Sequence, residues 1–460
     1  MTTTTAPPRG QAPPAVRSRA DGGTTRALIA VVGLAVVTLG TVGGDARWVG
    51  ALGRQVLSSG HLPGALPYAA APSTGWVDVP LLAELVLAPV LSLGGDLGLL
   101  LAQALAVGLA LGVLAADARR AGATDRAVAG SLALLTAGAV TTVLVARLQL
   151  FTLMLLPVEL ALLRAQARRP SGRIWLLVPL LALWSNLHGG ALLGLAVALI
   201  YLVLERRREA APLGGLCVAA LCLTPGLART PSYYLGVLHN ESARQHLGLW
   251  SRLSPTSPFD VAWVLSATVL LLGVRRARPR AWELVVLLGL TGLTLQAARN
   301  GVWLLVAAVG PAAVGRSGRP RRAGPLPVTA VLWTAATGLA GLALVRGLPA
   351  GTTTPAVVRL AVQVAQGSPV AAQDVLSEQV VAAGGRVWMS NPLDAFRPRD
   401  QRRYLAWETT GRADLLPLGT SVVLVRPGGP AAAALAAAPD YRRVAGDGAG
   451  ELFVRSRTAG

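Results

Sequence analysis

Long apolar runs separated by short arginine-rich breaks dominate this chain, and they restrict it to a structure in which lipid is the main solvent. The first run extends from Ala27 to Gly43. Others fall near 97–116, 128–146, 149–163, 174–187, 189–204, 211–225, 260–274, 281–297, 301–315 and 326–345. A helix needs about 20 residues, at about 1.5 Å each, to cross a bilayer. The pattern therefore predicts an all-α polytopic membrane bundle of about eleven transmembrane helices. Several runs are shorter, so close-set ones also fit interfacial or broken helices. Composition agrees: only 14% of the residues are charged, against about 25% in soluble domains.

All 42 basic residues are arginine, and the formal net charge is +20. With heavy Ala, Gly, Leu, Val and Pro usage, this points to a GC-rich, bacterial genome. Nucleic-acid binding requires the charge on one soluble face; here it lies between apolar runs, so no nucleic-acid partner is expected. With the N-terminus inside and the spans alternating, 22 arginines fall on the inner side and seven on the outer. That is the positive-inside asymmetry. It predicts a multi-pass protein of the cell inner (plasma) membrane.

The same parity sets the domains. Residues 1–25 are a disordered cytoplasmic tail, 26–346 the transmembrane domain and 347–460 a small extracytoplasmic α/β domain. The long lead before Ala27 favours an uncleaved anchor over a cleaved signal peptide. The first outer loop covers 45–96 and the second 225–259. Counting Pro80 to Leu93 as a span would break the arginine parity, so it is expected to lie at the outer interface or dip partly in. In the C-terminal part, helices are expected at 355–366, 370–383 and 430–438. Strands are expected at 386–390 and 420–426, with a closing hairpin of Tyr441–Val444 and Glu451–Arg455. Cys217 and Cys222, about 500° apart on one helix, point to different faces and make no disulfide.

Polar groups cluster at the predicted outer ends. Asp45 directly follows the first run, where water is near enough to make a carboxylate tolerable. It opens a loop that also holds Trp48, His61, Asp78 and Glu84. Arg147 and Gln149 sit in a tight turn, where the guanidinium fork suits a lipid phosphate or simply snorkels to headgroups. Asn186 and His188 interrupt an apolar hairpin, Trp184 to Gly190, where unpaired polar groups are costly. Arg299 and Asn300 form a third turn at the same depth. Each admits a plain structural role; their common side favours a shared site. No metal-ligand spacing is present.

Asp45, Trp48, Gly53, then Gly60 and Pro63, then Trp76 and Glu84, resemble the first loop of bacterial polytopic glycosyltransferases of the GT-C class. That class includes protein mannosyltransferases and lipid A aminoarabinose transferases. Arg147, Gln149 and Phe151, the hairpin Trp184, Asn186, His188, Gly189 and Gly190, and the turn Arg299 and Asn300 continue the likeness. The closing segments, Tyr441 to Asp447 and Leu452 to Arg455, extend it to the end of an uncharacterised bacterial branch. Departures are Val49 in place of His, Leu66 in place of an acid, Leu81 in place of Trp and Leu148 in place of Pro.

The resemblance implies transfer of a sugar from a polyprenyl-phosphate carrier to a glycan, lipid or protein acceptor outside the membrane. Asp45 then takes the acceptor proton. Arg147, Gln149, Asn186, His188, Arg299 and Asn300 bind the lipid phosphate or sugar, with Trp48, His61, Asp78 and Glu84 as second-rank candidates. Some members of the class use a divalent metal and others do not. One alternative is a non-catalytic glycolipid-binding or envelope-assembly scaffold of the same fold. A transporter is the other, although the internal repeats common in transporters are not found.

Overall fold

The computed structural model describes residues 22–73, 75–317, 328–346 and 354–456. Most of the expected tail lies outside the described residues. The first helix, α1 (Gly23–Leu39), already starts within the stretch expected to be disordered. A two-residue strand, β1 (Thr41–Val42), leads into α2 (Ala46–Ser59). Next comes α3 (Leu81–Arg120), which changes direction at Gly95, where φ is +55° and ψ −140°. Only glycine adopts such a conformation readily. The break divides 81–94 from the longer second limb.

The bundle continues with α4 (Asp125–Gly138), α5 (Val140–Leu144) and the short strand β2 (Val145–Ala146). Five helices follow: α6 (Leu150–Arg168), α7 (Leu177–Ser185), α8 (Ala191–Glu205), α9 (Arg207–Leu221) and α10 (Thr230–Leu238). A single turn, α11 (Glu241–Arg244), precedes α12 (Pro258–Ala277), α13 (Ala281–Gln296), α14 (Gly301–Arg316) and α15 (Val328–Arg346). Helices thus occur at all eleven apolar runs. Five helical segments among the described residues are long and apolar enough to cross a membrane: 81–120, 150–168, 258–277, 298–316 and 328–345. Leu101, Leu105 and Leu109 form an exposed stripe on α3, one turn apart. Such a stripe suits lipid, and with five helices of this length and apolarity the protein is a multi-pass membrane protein.

The centre of the bundle is α14, whose residues 301–313 are all buried. It packs against α3, α4, α12 and α13. At one end of these helices, Arg164 of α6 ties the bundle together. Its Nη1 donates to Asp117 Oδ2 at 3.1 Å, its Nε to Glu283 Oε1 at 2.9 Å and its Nη2 to the Ala307 carbonyl at 2.7 Å. At the other end, Arg47 of α2 grips Asp96 just past the α3 kink, Nη2 to Oδ2 at 2.8 Å and Nε to Oδ1 at 3.2 Å. This fork ties α2 to the start of the second limb of α3. The helices meet closely at Gly53, where a Cβ would lie 2.1 Å from the Glu84 carbonyl oxygen.

The C-terminal region contains α16 (Ala356–Ala365), β3 (Val370–Ala372), α17 (Asp374–Ala382), α18 (Pro398–Thr410), β4 (Val422–Val425), α19 (Pro430–Ala437), β5 (Tyr441–Gly446) and β6 (Glu451–Arg455). The sheet order is β3-β4-β6-β5, parallel between β3 and β4 and antiparallel elsewhere. The expected closing hairpin is β5 and β6. The helix expected over 370–383 is a strand followed by a shorter helix. Val370 to Ala372 are wholly buried between β4 and Val387, a setting that β pairing satisfies and a helix would not. The strand expected at 386–390 is reduced to isolated bridges from Val387 to Val370 and to Ala69.

Those bridges join the C-terminal region to the first loop. Ala70 N–H donates to the Val387 carbonyl at 2.9 Å, Ala71 N–H to that of Trp388 at 3.0 Å, and Val387 N–H to that of Tyr68 at 2.9 Å. The second loop is held as well: Arg402 of α18 pairs with Glu241 at 2.7 Å. The C-terminal region therefore sits on both loops, at the Arg47–Asp96 end of the bundle.

Candidate active site

The site is assembled by a short parallel pairing. Thr41 of β1 lies opposite Val145 of β2, and Val42 opposite Ala146. Gly43 N–H then donates to the Ala146 carbonyl at 3.0 Å. Chain segments about a hundred residues apart thus leave side by side, and they deliver Asp45 and Arg147 to the same place. Arg299, in the turn before α14, feels the charges of both.

Arg147, Gln149 and Arg299 line one cavity of about 200 Å³, together with Thr142, Asp260 and Trp263 among others. The Arg299 guanidinium stacks over Trp250 with its carbon 4.9 Å from the ring centroid. Among the described residues, no carboxylate forms an ion pair with Arg147 or Arg299, and the buried Nε of Arg147 has no hydrogen-bond partner. Two guanidinium groups lining one cavity without acid partners make a receptor for an anion.

His188 lies in the turn between α7 and α8. Its Nδ1 accepts from Gly190 N–H at 2.9 Å and is 2.8 Å from Thr152 Oγ1. Thr152 in turn accepts from Trp184 Nε1–H at 3.0 Å. That chain of donors makes Nδ1 an acceptor, which puts the ring proton on Nε2. Burial, and then the Arg299 charge, pushes the imidazole down to about 3. His188 is a neutral donor within reach of the Arg299 charge.

Asp45 has φ +84° and ψ −43°, rare for any residue but glycine. It precedes the first turn of α2, yet its side chain does not cap the helix. Among the described residues its carboxylate makes no hydrogen bond or ion pair. Its backbone N–H donates to both carboxylate oxygens of Glu378, at 3.0 and 2.9 Å. Burial, and then the Asp45 charge, pushes Glu378 up to about 8. The same two causes push Asp394 up to about 6. Tyr68 and Tyr233 stand within reach of the Asp45 charge as well.

The remaining expected residues lie outside the lining of the cavity, apart from Gln149. The Asn186 amide donates to the carbonyls of Ala182, at 2.8 Å, and Leu223, at 2.7 Å, pinning α7 to the end of α9. Asn300 donates to the Leu293 carbonyl at 3.0 Å and closes the end of α13. Trp48 is packed in the core. His61 is exposed, bonded only to its own turn through the Ser59 carbonyl at 2.8 Å. Asp78 and Glu84 form a buried carboxyl pair that reaches Tyr68 electrostatically. Burial raises Asp78 to about 6. None of the pair's four carboxylate oxygens has a hydrogen-bond partner among the described residues. No three described His, Cys, Asp or Glu side chains gather as a metal site.

The sequence reading missed Glu378, Asn391, Asp394, Tyr68 and Tyr233. Only Glu378 left a trace, as an acid between buried Ser377 and Val380 in an apolar helix.

No protein-family model matches the chain, and no curated protein sequence matches it. Solved structures do. ArnT from Cupriavidus metallidurans bound to undecaprenyl phosphate is 16% identical, with a TM-score of 0.52 over 94% of this chain and 98% of that one. ArnT in the apo state is 17% identical, with a TM-score of 0.52 over 93% and 96%. The arabinofuranosyltransferase AftD from Mycobacteria is 16% identical, with a TM-score of 0.53 over 94% of this chain and 41% of that one. The likeness runs through the bundle, both loops and the C-terminal region, and the chain has the fold of these membrane glycosyltransferases, the GT-C fold to which its loop and hairpin motifs pointed.

Proposed function

We propose that the protein is a glycosyltransferase that moves a sugar from a polyprenyl-phosphate carrier to an acceptor on the outer side of the membrane. The observation that carries this reading is that Arg147 and Arg299, neither in an ion pair among the described residues, line one cavity, with the unengaged carboxylate of Asp45 within electrostatic reach of Arg299. ArnT, which shares the fold, was solved bound to undecaprenyl phosphate, and this supports a lipid phosphate as the anion.

In the reaction, an acceptor hydroxyl attacks the anomeric carbon and the bond from that carbon to the phosphate oxygen breaks. Asp45 receives the hydroxyl proton. Charge grows on the departing lipid phosphate, where Arg147 and Arg299 meet it and His188 Nε2–H is available as a donor. Apolar groups along the cavity, among them Phe259, Leu249 and Val302, suit the first isoprene units. All eleven apolar helices cross the inner membrane in this reading, with the N-terminus cytoplasmic and 81–94 at the outer interface. The C-terminal region is an extracytoplasmic domain.

The test uses purified protein in nanodiscs with undecaprenyl-phosphate-linked pentoses and hexoses and an envelope glycolipid extract. Wild type transfers sugar from one of these donors. Asp45→Asn binds undecaprenyl phosphate as wild type does and transfers nothing. Full transfer by Asp45→Asn would sink the assignment of the base.

One observation favours the scaffold reading. Val49, Leu66 and Leu148, apolar where the resembled loops carry His, an acid and Pro, are all packed in the core. A scaffold binds undecaprenyl phosphate through Arg147 and Arg299 and turns over no donor.

A further inference from the structure

The C-terminal region places a buried carboxylate at the candidate site that the proposed reaction does not use. Glu378 has no accessible surface. It lies on α17, which packs against α2. Besides the two bonds from Asp45 N–H, its Oε1 accepts from Asn391 Nδ2 at 2.7 Å. The Asn391 carbonyl accepts from Tyr68 Oη–H at 2.9 Å. Gly44 makes room, since a Cβ there would lie 3.2 Å from Oε1. The charges that face Glu378 are both acidic: Asp45, and Asp374 at the start of its own helix.

Burying an acid against another acid without a cation is costly. The local geometry shows what the contact achieves. An aspartate before a helix ordinarily folds its carboxylate onto the N–H groups of the first turn. That would consume the Asp45 carboxylate in capping α2. Here the Glu378 carboxylate holds the Asp45 N–H, the Asp45 backbone stands at positive φ, and the Asp45 side chain makes no cap bond to α2. The Asp45 carboxylate is thereby left without a partner.

We propose that Glu378 is a positioning residue for Asp45: it holds the Asp45 backbone in its positive-φ conformation and keeps the carboxylate from capping α2. The C-terminal region then completes the site rather than merely covering it. The proposal deepens the functional reading above and rests on Asp45 as the base.

The full-length protein in nanodiscs is tested as Glu378→Ala, Glu378→Gln and wild type. Two quantities are read: amide exchange over 44–49, and turnover of whichever undecaprenyl-phosphate-linked sugar the wild type accepts. Glu378→Ala speeds exchange at Asp45 and lowers kcat about 10- to 100-fold with KM for the donor unchanged. Glu378→Gln, the same shape with one carbonyl acceptor, stays within about fivefold of wild type in kcat. If Glu378→Ala does not fold, Glu378→Asp, too short by one methylene, carries the same expectation. Unchanged exchange overturns the proposal, as do equal losses in the Ala and Gln variants or a loss confined to KM. If no sugar turns over, exchange alone decides. Full activity of Asp45→Asn would remove the functional reading and leave the exchange result standing; an inactive Asp45→Asn with an unaffected Glu378→Ala would remove only the positioning role.

Discussion

A Cβ at Gly43 would lie 2.5 Å from Cγ1 of Val145 and 2.7 Å from Nε of Arg147, so the first loop packs this closely on that guanidinium and its strand because residue 43 has no side chain. Gly43 and Arg147 are neighbours because β1 and β2 pair in parallel just before them. Gly43→Ala is expected to push Arg147 from the cavity and to weaken undecaprenyl phosphate binding at least tenfold, as an order of magnitude. Thermophoresis in nanodiscs reads this directly. Unchanged affinity would separate Arg147 from the anion.

Arg147→Ala and Arg299→Ala should each weaken that binding by roughly 10- to 100-fold, the loss of one or two charge-assisted hydrogen bonds at about 1.5–3 kcal/mol apiece. Arg147→Lys should recover only part of it, because an ammonium lacks the planar fork. Raising salt should change the wild-type affinity less than it would for an exposed site, since the cavity is partly shielded.

The Glu378 carboxyl sets a pH dependence. In the fold it is held up to about 8, against 4.5 for an ordinary glutamate. Between those values the folded state binds more protons than the unfolded chain, so stability falls as pH rises through the window. The unfolding midpoint of wild type relative to Glu378→Gln should therefore decline from pH 5 to pH 8.5 in scanning fluorimetry. A difference that stays flat would mean that Glu378 holds no proton in that range.

At the other end of the bundle, Arg164→Ala should cost about 3–5 kcal/mol of stability, because it leaves Asp117 and Glu283 in the helix packing without that partner. Arg168, still 3.0 Å from Asp117, softens the loss at one acid only. Undecaprenyl phosphate affinity should stay unchanged in the fraction that folds, since the network lies away from the cavity. Thermal unfolding in detergent and a binding titration check the two halves.

Hydropathy located a helix at each of the eleven apolar runs, because helix formation in such a run is decided by its local side chains, but it read α2 and α10 as parts of outer loops. The sequence also named Asp45, Arg147, Gln149, His188 and Arg299, which lie at helix ends, and of these Arg147, Gln149 and Arg299 line one cavity. Asn186 and Asn300 carried the same signal, and the structure uses both amides to close helix ends. A polar residue in an apolar turn announces that it needs a partner, but its sequence does not say whether that partner is a substrate or a carbonyl. The strand at 370–372 was hidden for a similar reason, since Val and Ala fit either period until a neighbouring strand is present. What only the tertiary structure decided is how Asp45 is held. Glu378 is 333 residues away, and the bond between them forms through a backbone N–H that every residue but proline possesses, so no side-chain pattern in the sequence could record it.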